Sequence, residues 1–174
     1  MAQNSAIIDI EERADGRLEH VTTVLTIDAE ADTVERCFEN IERLPDLFPY
    51  LLRITEMPSE KNKRVVELVI RYQFYLVSCS IEVLCTLDTD GKSFAIFRGV
   101  RGNVENFMFR LQVKEKNKRL LLYVSFNFDL NGIGPLISAQ LQSYPELEVA
   151  MLSTFSLGFA KSFKRAVERQ QSRA

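Results

Sequence analysis

Leu120-Leu121-Leu122-Tyr123-Val124-Ser125-Phe126-Asn127-Phe128-Asp129-Leu130 is the stretch on which the fold turns. Leu120, Leu122, Val124, Phe126, Phe128 and Leu130 fall on one side of an extended chain, and Tyr123, Ser125, Asn127 and Asp129 on the other. Such alternation belongs to an antiparallel sheet with one covered face and one facing water. It recurs in Arg64 to Phe74, where Val66, Leu68, Ile70 and Tyr72 oppose Glu67, Arg71 and Gln73. Further strands are expected at Leu51 to Met57, Leu76 to Leu87, Ser93 to Val100 and Asn103 to Lys114. The polar turns Asp88-Thr89-Asp90-Gly91 and Lys114 to Lys118 are too short for crossovers, so neighbouring strands run antiparallel. Upstream, Ala6 to Arg13 and Leu18 to Ile27 flank Asp15-Gly16, a hairpin signal.

An apolar sheet face needs a cover, and the C-terminal stretch supplies it. Leu147, Met151, Phe155, Phe159 and Phe163 recur at helical spacing, which predicts one helix of about seven turns. Ser143 and Glu146 around Pro145 read as its capping box. Lys161, Lys164, Arg165 and Arg169 suit the negative end of its dipole. A shorter helix is expected from about Thr33 to Glu42, opened by Asp32 and Glu35 and stopped before Pro45 and Pro49. The expected architecture is α+β. One domain spans residues 1–174, with its core at about 18–170 and an extra N-terminal strand at about 6–13.

Composition narrows the function classes. A formal charge of −2 and a pI near 5.6 give no sequence-wide reason to bind DNA. No apolar run approaches the ~20 residues of a membrane helix. Met1 to Glu12 carries Asp9, Glu11 and Glu12 and reads neither as a signal nor as a transit peptide, so the expected location is the cytoplasm. Cys37, Cys79 and Cys85 are an odd number in apolar surroundings and read as buried free thiols.

A curved sheet closed by one long helix leaves space between them. The side chains facing that space are Tyr72, Phe107, Phe109, Phe126 and Phe128 from the sheet and Met151, Phe155 and Phe159 from the helix. They are candidates for holding a hydrophobic small molecule, although an aromatic stripe at this spacing is equally what an ordinary packed core contains. Gly158 stands inside the helix at a cost of about 1 kcal/mol against alanine, which asks for close packing or an opening beside it. The apolar loop Asn131 to Ile137, including Ile133, has glycines that permit a gate.

Val34-Glu35-Arg36-Cys37-Phe38-Glu39-Asn40-Ile41-Glu42-Arg43-Leu44-Pro45-Asp46-Leu47-Phe48-Pro49-Tyr50 resembles the helix-loop signature of START-related helix-grip proteins (SRPBCC). It is most similar to the coenzyme Q-binding, polyketide cyclase/dehydrase branch. Phe107-Met108-Phe109, Val124 to Phe128 and the closing helix fit as well, so the resemblance covers roughly Val21 to Glu168. It implies a helix-grip fold, with a curved antiparallel sheet around a long C-terminal helix and two short helices after the first main strand. It also implies a lipid, quinone or polyketide-like ligand, with Leu47, Phe48, Tyr50 and Leu51 in the portal. No cofactor is expected, since no glycine-rich phosphate loop is present. The chain departs from the branch in having no tryptophan.

Residues for catalysis are sparse. His20 is the only histidine and is expected on the water-facing side of its strand, opposite Val21, Thr23, Leu25 and Ile27. No histidine–cysteine spacing suits a metal, and no catalytic residue is assigned. Glu82, Arg98, Glu105 and Arg110 read as an outer charged face. An inward Arg98 would instead orient a carbonyl and favour a cyclase or isomerase. The basic turn Lys114 to Arg119 and the basic helix end leave a third reading, a transient protein, ribosome or membrane contact, with the oligomeric state open.

Overall fold

In a computed structural model, residues 6–12, 14, 18–59, 63–74 and 77–172 are described, with Tyr72, Phe74, Val77 and Cys79 described at the backbone alone. The strands are β1 (Ile7–Glu12), β2 (Leu18–Ile27), β3 (Leu51–Met57), β4 (Arg64–Phe74), β5 (Val77–Thr89), β6 (Phe94–Gly102), β7 (Met108–Lys116) and β8 (Arg119–Asn127). They form one antiparallel sheet in the order β1-β2-β8-β7-β6-β5-β4-β3. The helices are α1 (Ala31–Glu39), α2 (Pro135–Ser143) and α3 (Leu147–Gln171), with 3-10 turns at Ile41–Asp46 and Leu130–Ile133. The Asp15-Gly16 turn lies outside the described residues.

The alternation read from sequence is the alternation of burial. Leu122, Val124 and Phe126 of β8 face α3, and Val21, Thr23 and Leu25 stand beside them on β2. On the convex side Ser125 is buried too, because its hydroxyl pairs with that of Thr22 at 2.7 Å across the strands. The β7–β8 turn places both Asn117 and Lys118 at positive φ, the geometry of a tight hairpin. In the β5–β6 turn, the Asp90 carboxylate accepts the backbone N–H groups of Lys92, Ser93 and Phe94 and the Ser93 hydroxyl. Partial desolvation opposes its charge, but these hydrogen bonds prevail and hold its pKa well below the usual carboxylate range.

α3 buries Leu152, Phe155, Ser156, Phe159, Ala160, Phe163 and Val167. The Ser156 hydroxyl donates to Val124 O at 2.7 Å, and Lys164 Nζ donates to Thr26 O at 2.6 Å, so this flank of the helix lies over β8 and β2. Its C-terminal turns are tied to the start of α1. Glu168 accepts from Asp28 N, and Gln171 accepts from Glu30 N and from the Thr33 hydroxyl.

Several local expectations are corrected. α1 begins at Ala31 with Glu30 at its N-cap and no side-chain cap bond, so Asp32 and Glu35 form no capping box. Ser143 caps nothing in α3; its hydroxyl bonds back to Ala139 O within α2. The supposed loop Asn131 to Ile137 is a 3-10 turn followed by α2, with Pro135 at the first helical position, where its missing N–H costs nothing. Residues 103–107 are no strand: Asn103 bonds through its side chain to Glu82 N and Ser80 O, and Asn106 has positive φ. Gly102 permits this exit, since a Cβ there would lie 2.5 Å from Glu82 O.

Candidate functional site

The eight residues expected to hold a ligand fall into two groups. Phe109, Phe126, Phe128 and Phe159 are fully buried. Phe109 and Phe126 stack at 4.5 Å between centroids, and Phe126 meets Phe159 edge-on at 4.9 Å. Phe97 stacks on the other side of Phe109 at 5.3 Å. These rings are the filled part of the core, as the packing density of protein interiors leads one to expect. Phe107, Met151 and Phe155 keep 4%, 2% and 6% of their surface open. The Tyr72 side chain lies outside the described part.

Phe155 is the least buried of these core rings, at 6%. One side of its ring touches Phe126 at 5.0 Å and Phe159 at 4.9 Å. Phe128 lies 6.1 Å away and Tyr50 6.3 Å away. Three residues on, Gly158 faces away from β2. A Cβ there would meet Tyr50 Cε2 at 3.6 Å and otherwise open space among the described residues. Tyr50 is held at this place by its backbone, whose carbonyl accepts from Arg71 N of β4 at 2.7 Å. The glycine flagged in the sequence therefore lies under a half-buried tyrosine, at the edge of the buried stripe of α3.

The residues assigned to the portal separate. Phe48 is wholly buried, 5.0 Å from Phe159 and 5.5 Å from Phe163, and Leu51 is buried beside it in the core. They are interior residues because the turn around Pro45 drives this segment beneath the helix. Leu47 instead lines an outer cleft of about 510 Å³ with Arg36, Cys37, Arg43 and Gln170. Ile133 and Tyr50 are half-buried, both packed against the core.

Two more clefts sit at the end of the sheet near the start of α3. One of about 360 Å³ is lined by Leu18, Asn127, Phe128, Asp129 and Glu148, and one of about 270 Å³ by Val83, Gly99, Val104 and Phe107. Asn106 borders both, and the stacked Phe107–Phe128 pair, 6.2 Å apart, stands between them. Burial, and secondarily the nearby Asp129 charge, push the Glu148 carboxyl up in pKa. Sequence reading had no signal for Glu148 or Asn106, which become neighbours only through the fold.

The other titratable groups singled out in the sequence are outward charged side chains and buried thiols. Arg98 and Glu82 are exposed on the convex face and Glu105 is exposed in the segment between β6 and β7, so Arg98 orients nothing inside. His20 is turned outward, with Nε2 3.3 Å from Glu11. Cys37 and Cys85 are buried free thiols. Desolvation pushes Cys37 up to about 11 against the opposing effect of Arg36, and pushes Cys85 to about 12. The Cys79 side chain lies outside the described part. Among the described residues no cluster is placed to hold a metal ion, and no helix is long and apolar enough to cross a membrane.

No family model matches the chain, and no curated protein does. Solved structures do. A Thermus thermophilus protein matches with TM-score 0.65 at 12% identity, over 87% of this chain and 98% of its own. The Zhui aromatase/cyclase from Streptomyces matches with TM-score 0.63 at 17% identity, over 87% and 94%. A START superfamily protein from Mycobacterium smegmatis follows with TM-score 0.58 at 15% identity, over 87% and 98%. This is the helix-grip fold. The helix-grip expected from sequence is present, with β1 as an additional edge strand outside β2.

Proposed function

We propose that this helix-grip chain binds or carries a hydrophobic small molecule between sheet and α3, reached beside Tyr50 and Gly158. The observation that carries the reading is the placement of Phe155. It is a large apolar ring with residual accessible surface, next to a helical glycine whose missing side chain leaves room. Apolar area removed from water there contributes about 25 cal/mol per Å² to affinity. The finer reading is a lipid, quinone or polyketide-like ligand, in keeping with the kinds of protein that share the fold. Fold alone does not carry a function, so the chemistry rests on the site. The cyclase alternative loses its anchor with Arg98 outside. The filled Phe109–Phe126–Phe159 cluster then acts as a floor that orients the ligand.

The test is mass spectrometry of the organic extract from protein purified from its native host, alongside Phe155→Lys and a mock purification. A stoichiometric apolar molecule carried by the native chain and absent from a folded Phe155→Lys variant supports the proposal. Retention of that molecule by the folded variant removes α3 from the site.

A further inference from the structure

The β1 strand ends the sheet on one side, so half of its backbone N–H and C=O groups point away from β2 into solvent. All six of its residues are exposed, including Ile7 at 64%, Ile8 at 40% and Ile10 at 43%. Proteins usually blunt such an edge, since it is a template for another strand. The register places Ile8 opposite Thr23 and Ile10 opposite Val21, on the face that carries α3. Half-buried Leu157 lies on the same flank of the helix, seven residues before the Lys164 that reaches β2. Asp9 and Glu11 stand on the convex face, opposite Thr22 and His20.

We propose that the free edge of β1 binds an extended peptide segment alternating aliphatic and basic residues, added as a ninth strand. Its aliphatic side chains lie beside Ile8 and Ile10, toward Leu157. Its basic side chains lie beside Asp9 and Glu11; among the described residues Glu11 has His20 Nε2 at 3.3 Å. A second copy of the chain fits less well, because a two-fold axis centred on β1 sets Asp9 against Asp9, and like charges directly opposite are unfavourable. Strand addition gives affinity through main-chain hydrogen bonds and specificity through alternate side chains. This surface is separate from the entry proposed beside Tyr50.

The probe is a fluorescein-labelled octapeptide of alternating lysine and valine, titrated into the full chain and followed by anisotropy and by backbone amide spectra. The expected result is saturable binding that shifts β1 amides and weakens about tenfold from low to physiological salt. It is lost when alternate peptide nitrogens are methylated. Asp9→Lys combined with Glu11→Lys, both at exposed positions, switches preference to a glutamate–valine peptide. Undiminished binding of the methylated peptide, undiminished binding of the lysine peptide by the reversed variant, or no binding overturns the proposal. So does self-association abolished by Ile8→Lys, which would assign the edge to a second copy.

Discussion

Replacing Gly158 with alanine separates packing from opening. A glycine inside a helix costs about 0.8–1.0 kcal/mol against alanine, and part of that gain arises by restricting the unfolded chain. The added Cβ would stand 3.6 Å from Tyr50 Cε2, an ordinary contact that displaces nothing. Gly158→Ala is therefore expected to stabilise by about 1 kcal/mol, raising Tm by about 2–4 °C for a domain of this size. Thermal and urea unfolding measure this, with an unchanged urea slope as the check that both variants unfold alike. Gly158→Leu extends the experiment: its side chain grows into the space beside Tyr50, so the folded protein should carry less of any apolar molecule found in the extract. A lower Tm for Gly158→Ala would refute the reasoning, because it would mean that the space beside Gly158 is already filled.

Phe126→Ala removes a ring at the centre of the filled cluster and should cost about 3–5 kcal/mol in urea unfolding. Gly102→Ala places a Cβ 2.5 Å from the backbone oxygen of Glu82 and should cost about 1–3 kcal/mol in the same assay. Asp90→Ala, which removes the acceptor of these hydrogen bonds, should destabilise at neutral pH by about 1 kcal/mol, as for a cap replaced by alanine. Because the folded pKa of Asp90 is depressed, its contribution is present above the unfolded value and fades as pH falls through the folded one, so the two proteins should converge in acid. Glu148 has the opposite sign. Its raised folded pKa makes ionisation costly, so Glu148→Gln should stabilise at neutral pH and lose that advantage below the ordinary glutamate range, as read by unfolding across pH.

Periodic elements were legible, and single-residue devices were not. The alternation of Leu122, Val124 and Phe126 and the helical recurrence of Leu147 to Phe163 record burial of a whole face, so they survive local noise. Capping patterns at Asp32 and Ser143 misled because Glu30 and Glu146 occupy the caps without side-chain bonds, and tertiary ties to Glu168 and Gln171 hold the start of α1 instead. α2 was hidden behind Gly132, Gly134 and Pro135, which mark its boundary and not an open loop. Asn103 reads as strand yet completes the edge of β5 with its amide. Within the site, Gly158 was flagged by its cost in a helix. The split between Tyr50 at the surface and Phe48 in the interior depends on how residues 41–51 pass under α3, which no local pattern encodes.

The ties between the end of α3 and the start of α1 join residues about 140 positions apart. Likewise β2 finds its partner β8 only after five intervening strands have been made. During synthesis the concave face therefore stays uncovered until the last helix leaves the ribosome. A chain of such high contact order folds slowly and exposes strand edges meanwhile. Nascent chains stalled before Leu147 should thus depend on chaperones, and full-length chains should not.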